Sequence, residues 1–210
     1  MPEHRPVRER VLDATAAITV ERGWAAVTMA KVAGIAEVSR QTVYNEYGVK
    51  AALGQAMVLR EVDRFLTVVG HELDTHDDLV DAIHAAAEQT LRIAQGNPLL
   101  KRMLASAHSV SAGGTGAEAE LLPFLTTDAE PLIVAAKEVV VARLDRFPDL
   151  GMTPAELDGA VDAIVRLVLS HVMQPGGAPK ATADHLAWIV ARVLGRDPAD
   201  ARDPDDGTRT

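Results

Sequence analysis

Four side chains suited to reading the edges of base pairs crowd into one short stretch: Arg40, Gln41, Tyr44 and Asn45. Arginine offers a fork of donors to guanine, glutamine an amide to adenine, and a tyrosine hydroxyl reaches phosphate. Ser39, just before them, has the chemistry of a helix N-cap, and the free N–H groups that follow a cap favour an anion such as phosphate. Val43 and Tyr47 are four residues apart and share a helix face. If that face points inward, Arg40, Gln41, Tyr44 and Asn45 point outward together.

An isolated helix this short is marginal, so other elements must hold it. The spacing predicts a first helix from Val7 to Arg22, with Val11, Ala14 and Ile18 on one stripe and Gly23 as its stop. Thr28 caps a second helix from Met29 to Ala36, with Met29, Val32, Ala33 and Ala36 inward. After a break at Glu37-Val38, Ser39 opens a third short helix that ends at Gly48. Two short helices joined by about three residues, the second opening at a polar cap, make a helix-turn-helix. Its expected core is Val11, Ala14, Ile18, Val32, Ala33, Val38, Val43 and Tyr47.

The stretch TMAKVAGIAEVSRQTVYNEYGVK, residues 28–50, resembles the N-terminal domain of the tetracycline-repressor family. The resemblance implies a homodimer on a palindromic double-stranded operator, two recognition helices in successive major grooves, and an inducer pocket in the larger domain. By position, Ser39, Arg40, Gln41, Thr42 and Tyr44 match the family's DNA-contacting helix, and Lys50 its phosphate-contacting lysine. With Thr28 and Asn45 these form the expected DNA-contacting set. The chain departs from the family pattern in four places. Glu37 stands at the turn position usually held by glycine, which here comes earlier, at Gly34. Glu46 and Tyr47 stand where His and Phe are usual. Val49 stands where a polar cap is common. Further on, LLPFLTTDAEPL, residues 121–132, is similar to an actinobacterial subgroup linked to alkane and fatty-acid metabolism.

Beyond residue 50 the pattern stays helical, and the expected fold is all-α with about nine helices. A long helix is read from Lys50 to Gly70, with HELDTHDD as a polar connection. Others run from about Asp78 to Gln95, Leu99 to Ala107, and Thr127 to Phe147, with extra turns at Glu118–Leu125. Thr153-Pro-Ala-Glu156 combines a cap, a proline at the first helical position and a glutamate three residues after the cap. It starts a helix to about Met173. A last helix runs from Thr182 to Leu194. These last two are apolar around much of their circumference, which calls for a second partner. Val161, Ile164, Val168, Val172, Leu186, Ile189 and Val193 are the expected homodimer interface. Phe65, His84, Met103, Leu104, His108 and Phe124 are the expected ligand-binding residues. The organisation reads as a DNA-binding domain, 1–50, a ligand-binding and dimerisation domain, 51–195, and a disordered tail, 196–210.

The net charge of −9 lies wholly beyond residue 50, because residues 1–50 carry seven basic and six acidic side chains. A near-neutral head on an acidic body suits a small DNA-contacting module. The chain has 210 residues, 48% of them apolar and 3% aromatic, and no cysteine. Disulfides, thiolate metal sites and a cysteine nucleophile are excluded. No signal peptide or stretch of about 20 apolar residues is present, so a cytoplasmic location with no membrane contact is expected. His71 and His76 read as residues of a solvated loop, and Gly113–Gly116 lacks the Gly-Lys-Ser/Thr of a phosphate loop. No nucleophile–base pair or cofactor motif is visible, so neither enzymatic activity nor a cofactor is expected. Aliphatic stripes without inward basic clusters favour a small apolar effector such as a fatty acid. The alternative, a small helical lipid carrier or enzyme that does not bind DNA, leaves the exposed Arg40, Gln41 and Tyr44 unexplained.

Overall fold

A computed structural model of the chain describes residues 6–111, 130–147 and 150–195, with the backbone alone for 105–111. Those residues form nine α-helices, one short 3-10 turn and no strand. The turns expected at Glu118–Leu125, the helix start at Thr127 and the tail 196–210 lie outside them. The described residues divide into two compact units: 6–63 with 97–111 and 130, and 64–96 with 131–147 and 150–195.

The first unit begins with α1, Val7–Arg22, which buries Val11, Leu12, Ala14 and Ile18. Two threonines share that inward face. Their hydroxyls are satisfied along the helix itself, Thr15 donating to the Val11 carbonyl at 2.7 Å and Thr19 to that of Thr15 at 2.8 Å. Burial of an unpaired hydroxyl would be costly, and this local bonding removes the cost. A 3-10 turn, Trp24–Ala26, then buries Trp24. Next come α2, Met29–Ile35, and α3, Arg40–Tyr47. The inward residues read from the sequence are buried, except that Val38 is only half-buried. The first half of α4, Lys50–Thr75, adds Leu53, Met57 and Val58 to this core. So does α6, Pro98–Ser111, which packs on α1 with Leu99, Leu100 and Met103 buried.

The second unit holds the rest of α4, then α5, Leu79–Gly96, α7, Glu130–Leu144, α8, Pro154–Met173, and α9, Pro179–Val193. Its most extensive packing is α5 against α9, with α8 on α5 as well. The Thr153–Glu156 capping box forms in full. The polar HELDT segment continues α4 to Thr75 instead of breaking it, so His71 is helical and only His76 follows the helix end. Leu73 supplies the reason: it is buried with Leu79, Ala82, Leu144, Phe147 and Val161, and that burial outweighs the polarity of its neighbours. Arg143 and Arg146 both reach Asp74, and Arg146 also donates to the Leu73 carbonyl at this helix end.

The turn between α2 and α3 explains the misplaced glycine. Val38 N–H bonds the Ala33 carbonyl at 3.0 Å and Glu37 N–H the Gly34 carbonyl at 3.4 Å. This is a Schellman stop, whose C′ residue must be left-handed. That residue is Glu37, with φ of 53°, the one described residue other than glycine with positive φ. An L-residue there costs roughly 1–2 kcal/mol relative to right-handed backbone. Glu37→Gly should therefore raise the unfolding free energy, by up to about 1 kcal/mol after glycine's greater entropy loss. Glu37→Val should lower it, because a β-branched side chain fits this conformation worst. Urea unfolding of the two variants checks the order.

Candidate nucleic-acid interface

Ser39 initiates α3 as a cap: its hydroxyl accepts from Thr42 N–H at 3.0 Å and lies 2.8 Å from the Thr42 hydroxyl. Val43 and Tyr47 are buried, and they anchor the helix to the unit's core. Tyr47 also donates its hydroxyl to the Arg8 carbonyl of α1 at 3.3 Å, and the Arg8 guanidinium stands 5.7 Å from its ring. Burial pushes the Tyr47 hydroxyl above its ordinary pKa, against the opposing pull of Arg8.

The opposite face carries Arg40, Gln41, Tyr44 and Asn45, all exposed, as the spacing predicts. They are organised among themselves. Arg40 donates to the Tyr44 hydroxyl at 3.2 Å, with its guanidinium 5.3 Å from the Tyr44 ring centre. Gln41 donates its amide to Asn45 Oδ1 at 2.8 Å. Both pairs have the i, i+4 spacing of helix neighbours. Thr42 is half-buried beside the cap.

The flanking members of the expected set have structural partners. Thr28 caps α2 by accepting from Lys31 N–H at 3.2 Å. Lys50, half-buried at the start of α4, donates to the Trp24 carbonyl at 3.0 Å and stands 4.7 Å from the indole centre. Sequence reasoning assigned Trp24 no part in this face, yet it fixes the lysine. Its only signal was one large aromatic in a chain poor in them. Arg60 was missed as well. Its guanidinium bonds Asp13 at 2.9 Å and Glu9 at 3.2 Å, tying α4 to α1.

The residues expected to bind a ligand are distributed over both units. Phe65, half-buried, and His84, buried, belong to the second; Met103, buried, and Leu104, half-buried, belong to the first. The side chain of His108 and all of Phe124 lie outside the described residues. His84 Nε2 lies 2.7 Å from Asp184 Oδ1, a carboxylate that Lys180 also holds at 2.9 Å. Burial works to raise the Asp184 pKa, but hydrogen bonds from Lys180 and His84 prevail and lower it.

Of the expected dimer residues, two are buried within the chain itself. Val161 is buried beside Leu73 and Leu79, and Leu186 beside Ala87 and Ala183. Ile164 packs on the Val80–Val190 cluster and Val168 on the Leu186 cluster. Val161 and Leu186 thus spend their apolar surface on the chain's own core, and Ile164 and Val168 part of theirs, because α5 lies against both helices. Val172 and Ile189 are half-buried, and Val193 is 53% exposed. The apolar surface left outward on α8 and α9 is carried by Leu167, Trp188 and Val193.

Comparison with known proteins places these features. The family model "Bacterial regulatory proteins, tetR family" matches residues 11–57, and "Bacterial Tetracyclin repressor, C-terminal domain" matches residues 78–192. The HTH-type transcriptional regulator AlkX of Mycobacterium tuberculosis is 33% identical over 188 residues, which cover 88% of this chain and 83% of that protein. The crystal structure of the TetR family repressor AlkX of a Dietzia species, implicated in biodegradation of n-alkanes, matches with a TM-score of 0.69. It is 28% identical, and the match covers 89% of this chain and 96% of that one. SmeT, the repressor of a multidrug efflux pump of Stenotrophomonas maltophilia, is 20% identical in its triclosan complex and shares the fold. That match has a TM-score of 0.57 and covers 89% of this chain and 90% of the other.

Removing the ammonium of Lys50 should have two separable effects. Lys50→Ala should destabilise the fold by about 0.5–2 kcal/mol through loss of the contact with Trp24. It should also weaken binding to all duplexes alike and flatten the logarithmic salt dependence by about one unit. Urea unfolding and anisotropy titrations at several salt concentrations measure each separately.

Proposed function

This chain belongs to the tetR family of bacterial regulatory proteins, and from that premise we propose that it is a homodimeric repressor which a small apolar effector releases from a palindromic operator. It is a DNA-binding transcriptional regulator, not an enzyme. The observation that carries the reading is the outward face of α3, where Arg40, Gln41, Tyr44 and Asn45 stand exposed on a capped helix whose other face is buried. Such a face has no role in holding the unit together, and its donors and acceptors suit base edges and phosphates. A lipid carrier or enzyme would leave it without a purpose. In this reading residues 1–50 are the DNA head, residues 51–195 bind effector and partner, and Thr28, Ser39, Thr42 and Lys50 position the head on phosphates. No described helix is long and apolar enough to cross a membrane. A regulator of this kind acts where its DNA is, and the reading places it in the cytoplasm.

Dimerisation is supported by the outward residues of α8 and α9. Leu167, Trp188 and Val193 are 37%, 54% and 53% exposed, and a second copy of the same face would cover them. Half-sites one helical turn apart require recognition helices about 34–36 Å apart. An effector acts by favouring one spacing over another. A tenfold loss of DNA affinity needs about 1.4 kcal/mol of differential binding. The aliphatic character of the second unit favours an elongated apolar molecule. The Dietzia relative's link to n-alkane degradation leans the same way, and a fatty acid is the leading candidate.

Three measurements test this. A gel shift with the DNA flanking the chain's own gene should give a retarded complex. Adding medium- and long-chain fatty acids to that complex should release DNA, with matching heat on the free protein in calorimetry. Absence of binding, or binding without release, removes the effector class. Trp188→Glu places a charge where a partner would have to desolvate it. It should give monomers in sedimentation while leaving the helical signal intact, because Trp188 is outside the chain's own core. A dimer as stable as the wild type would remove this face from the interface.

A further inference from the structure

Among the described residues, four polar side chains are buried: Thr15, Thr19, His84 and Thr90. Three of them are answered within the fold. Thr15 and Thr19 donate to carbonyls of their own helix, and His84 meets Asp184. Thr90, on α5, is different. It is 7% exposed, and its hydroxyl has no hydrogen-bond partner among the described residues. The Ala86 carbonyl, one turn back, is the acceptor that the two α1 threonines would use, and Thr90 does not take it. A buried hydroxyl left in this way is costly unless something outside the chain completes it. Its neighbours one turn either way on α5, Ala86 and Ala94, are buried too. Their side chains end at Cβ and can neither bond the hydroxyl nor crowd it. The face of α5 that packs on α9 lies to one side, where Ala87 meets Ala183 and Leu186.

We infer that Thr90 is the hydrogen-bonding anchor of the effector site, taking the uncharged oxygen at one end of an aliphatic molecule, a hydroxyl or an un-ionised carboxyl. The inference rests on the effector-release function proposed above and specifies the ligand's polar end. A threonine hydroxyl can donate or accept, so it suits an alcohol or a neutral acid equally. An ionised carboxylate needs a buried cation or several donors in the same place. None of the buried side chains described is a lysine or arginine, and His84 is already committed to the Asp184 carboxylate. The alanines beside Thr90 leave an apolar wall for the aliphatic part.

The test is calorimetry on the full-length protein at neutral pH with n-decanol and with decanoate, for the wild type, Thr90→Val and Thr90→Ser, together with thermal unfolding of each in the absence of ligand. The wild type should bind n-decanol more tightly than decanoate. Thr90→Val keeps the side-chain shape and removes only the hydroxyl. It should weaken n-decanol about tenfold, or about 1.4 kcal/mol, the scale of one hydrogen bond, while Thr90→Ser retains the binding. Without ligand, Thr90→Val should melt at the wild-type temperature or above it, because the group it deletes has no partner to lose. A residue that merely supports the fold would move stability and binding down together. A lower melting temperature for Thr90→Val would show that its hydroxyl is paired within the fold, and unchanged n-decanol affinity that it does not reach the ligand. Tighter binding of decanoate would show a charged end. Each of these overturns the inference and leaves the effector reading standing. If the wild type binds neither probe, the aliphatic effector class itself fails, and the inference with it.

Discussion

A helix of eight residues has almost no stability of its own in water, and the head of this protein depends on overcoming that limit. α3 makes too few internal hydrogen bonds to offset the ordering of its backbone. It persists because its first N–H groups are answered by Ser39 and because Val43 and Tyr47 are removed from water. Tyr47 does more than fill space, since its hydroxyl ties α3 to the backbone of α1. The anchoring side chains must therefore stay apolar or internally bonded, while the outward ones are free of that constraint. This separation is what allows the outward face to vary without unfolding the unit that carries it.

The rest of the first unit reinforces the same helix at one remove. Arg60 reaches two carboxylates of α1, and Lys50 reaches the backbone and ring of Trp24. Both cations come from α4, the helix that immediately follows α3. Their partners lie on α1 and on the turn after it. Through Arg60, α4 is thus tied to the same helix that Tyr47 grips. Charge pairing here works in partly buried surroundings, where it carries more weight than a solvated surface pair.

Periodicity and caps exposed most of the head before any coordinates. Ser39, Thr28 and the Val43–Tyr47 spacing gave the helices, their starts and the inward face, because these features depend on neighbours in sequence. The end of α4 was read too early. HELDT looks like a connection until Leu73 is seen to meet partners far along the chain, Leu144 and Val161 among them. The burial of Val161 and Leu186 within the chain was illegible for a related reason. Two strongly apolar helices indicate that burial is needed, but not whether α5 or a second copy supplies it. The grip of Lys50 on Trp24 depends on where a flexible side chain settles, which no residue spacing specifies.

Between α3 and α4 the chain reverses on one residue. Gly48, with φ of 67° and ψ of −67°, lets Val49 N–H reach the Tyr47 carbonyl at 2.7 Å, and Val49 already accepts the first hydrogen bond of α4 from Leu53. There is no slack in such a joint. One inserted residue continued as helix would turn everything after it by about 100° and advance it by about 1.5 Å. Lys50 would then face away from Trp24, and Arg60 from Glu9 and Asp13. Among descendants of this sequence, the segment from Tyr47 to Lys50 should tolerate changes of residue type at Val49 but resist any change of length, so that its spacing is inherited more strictly than its composition.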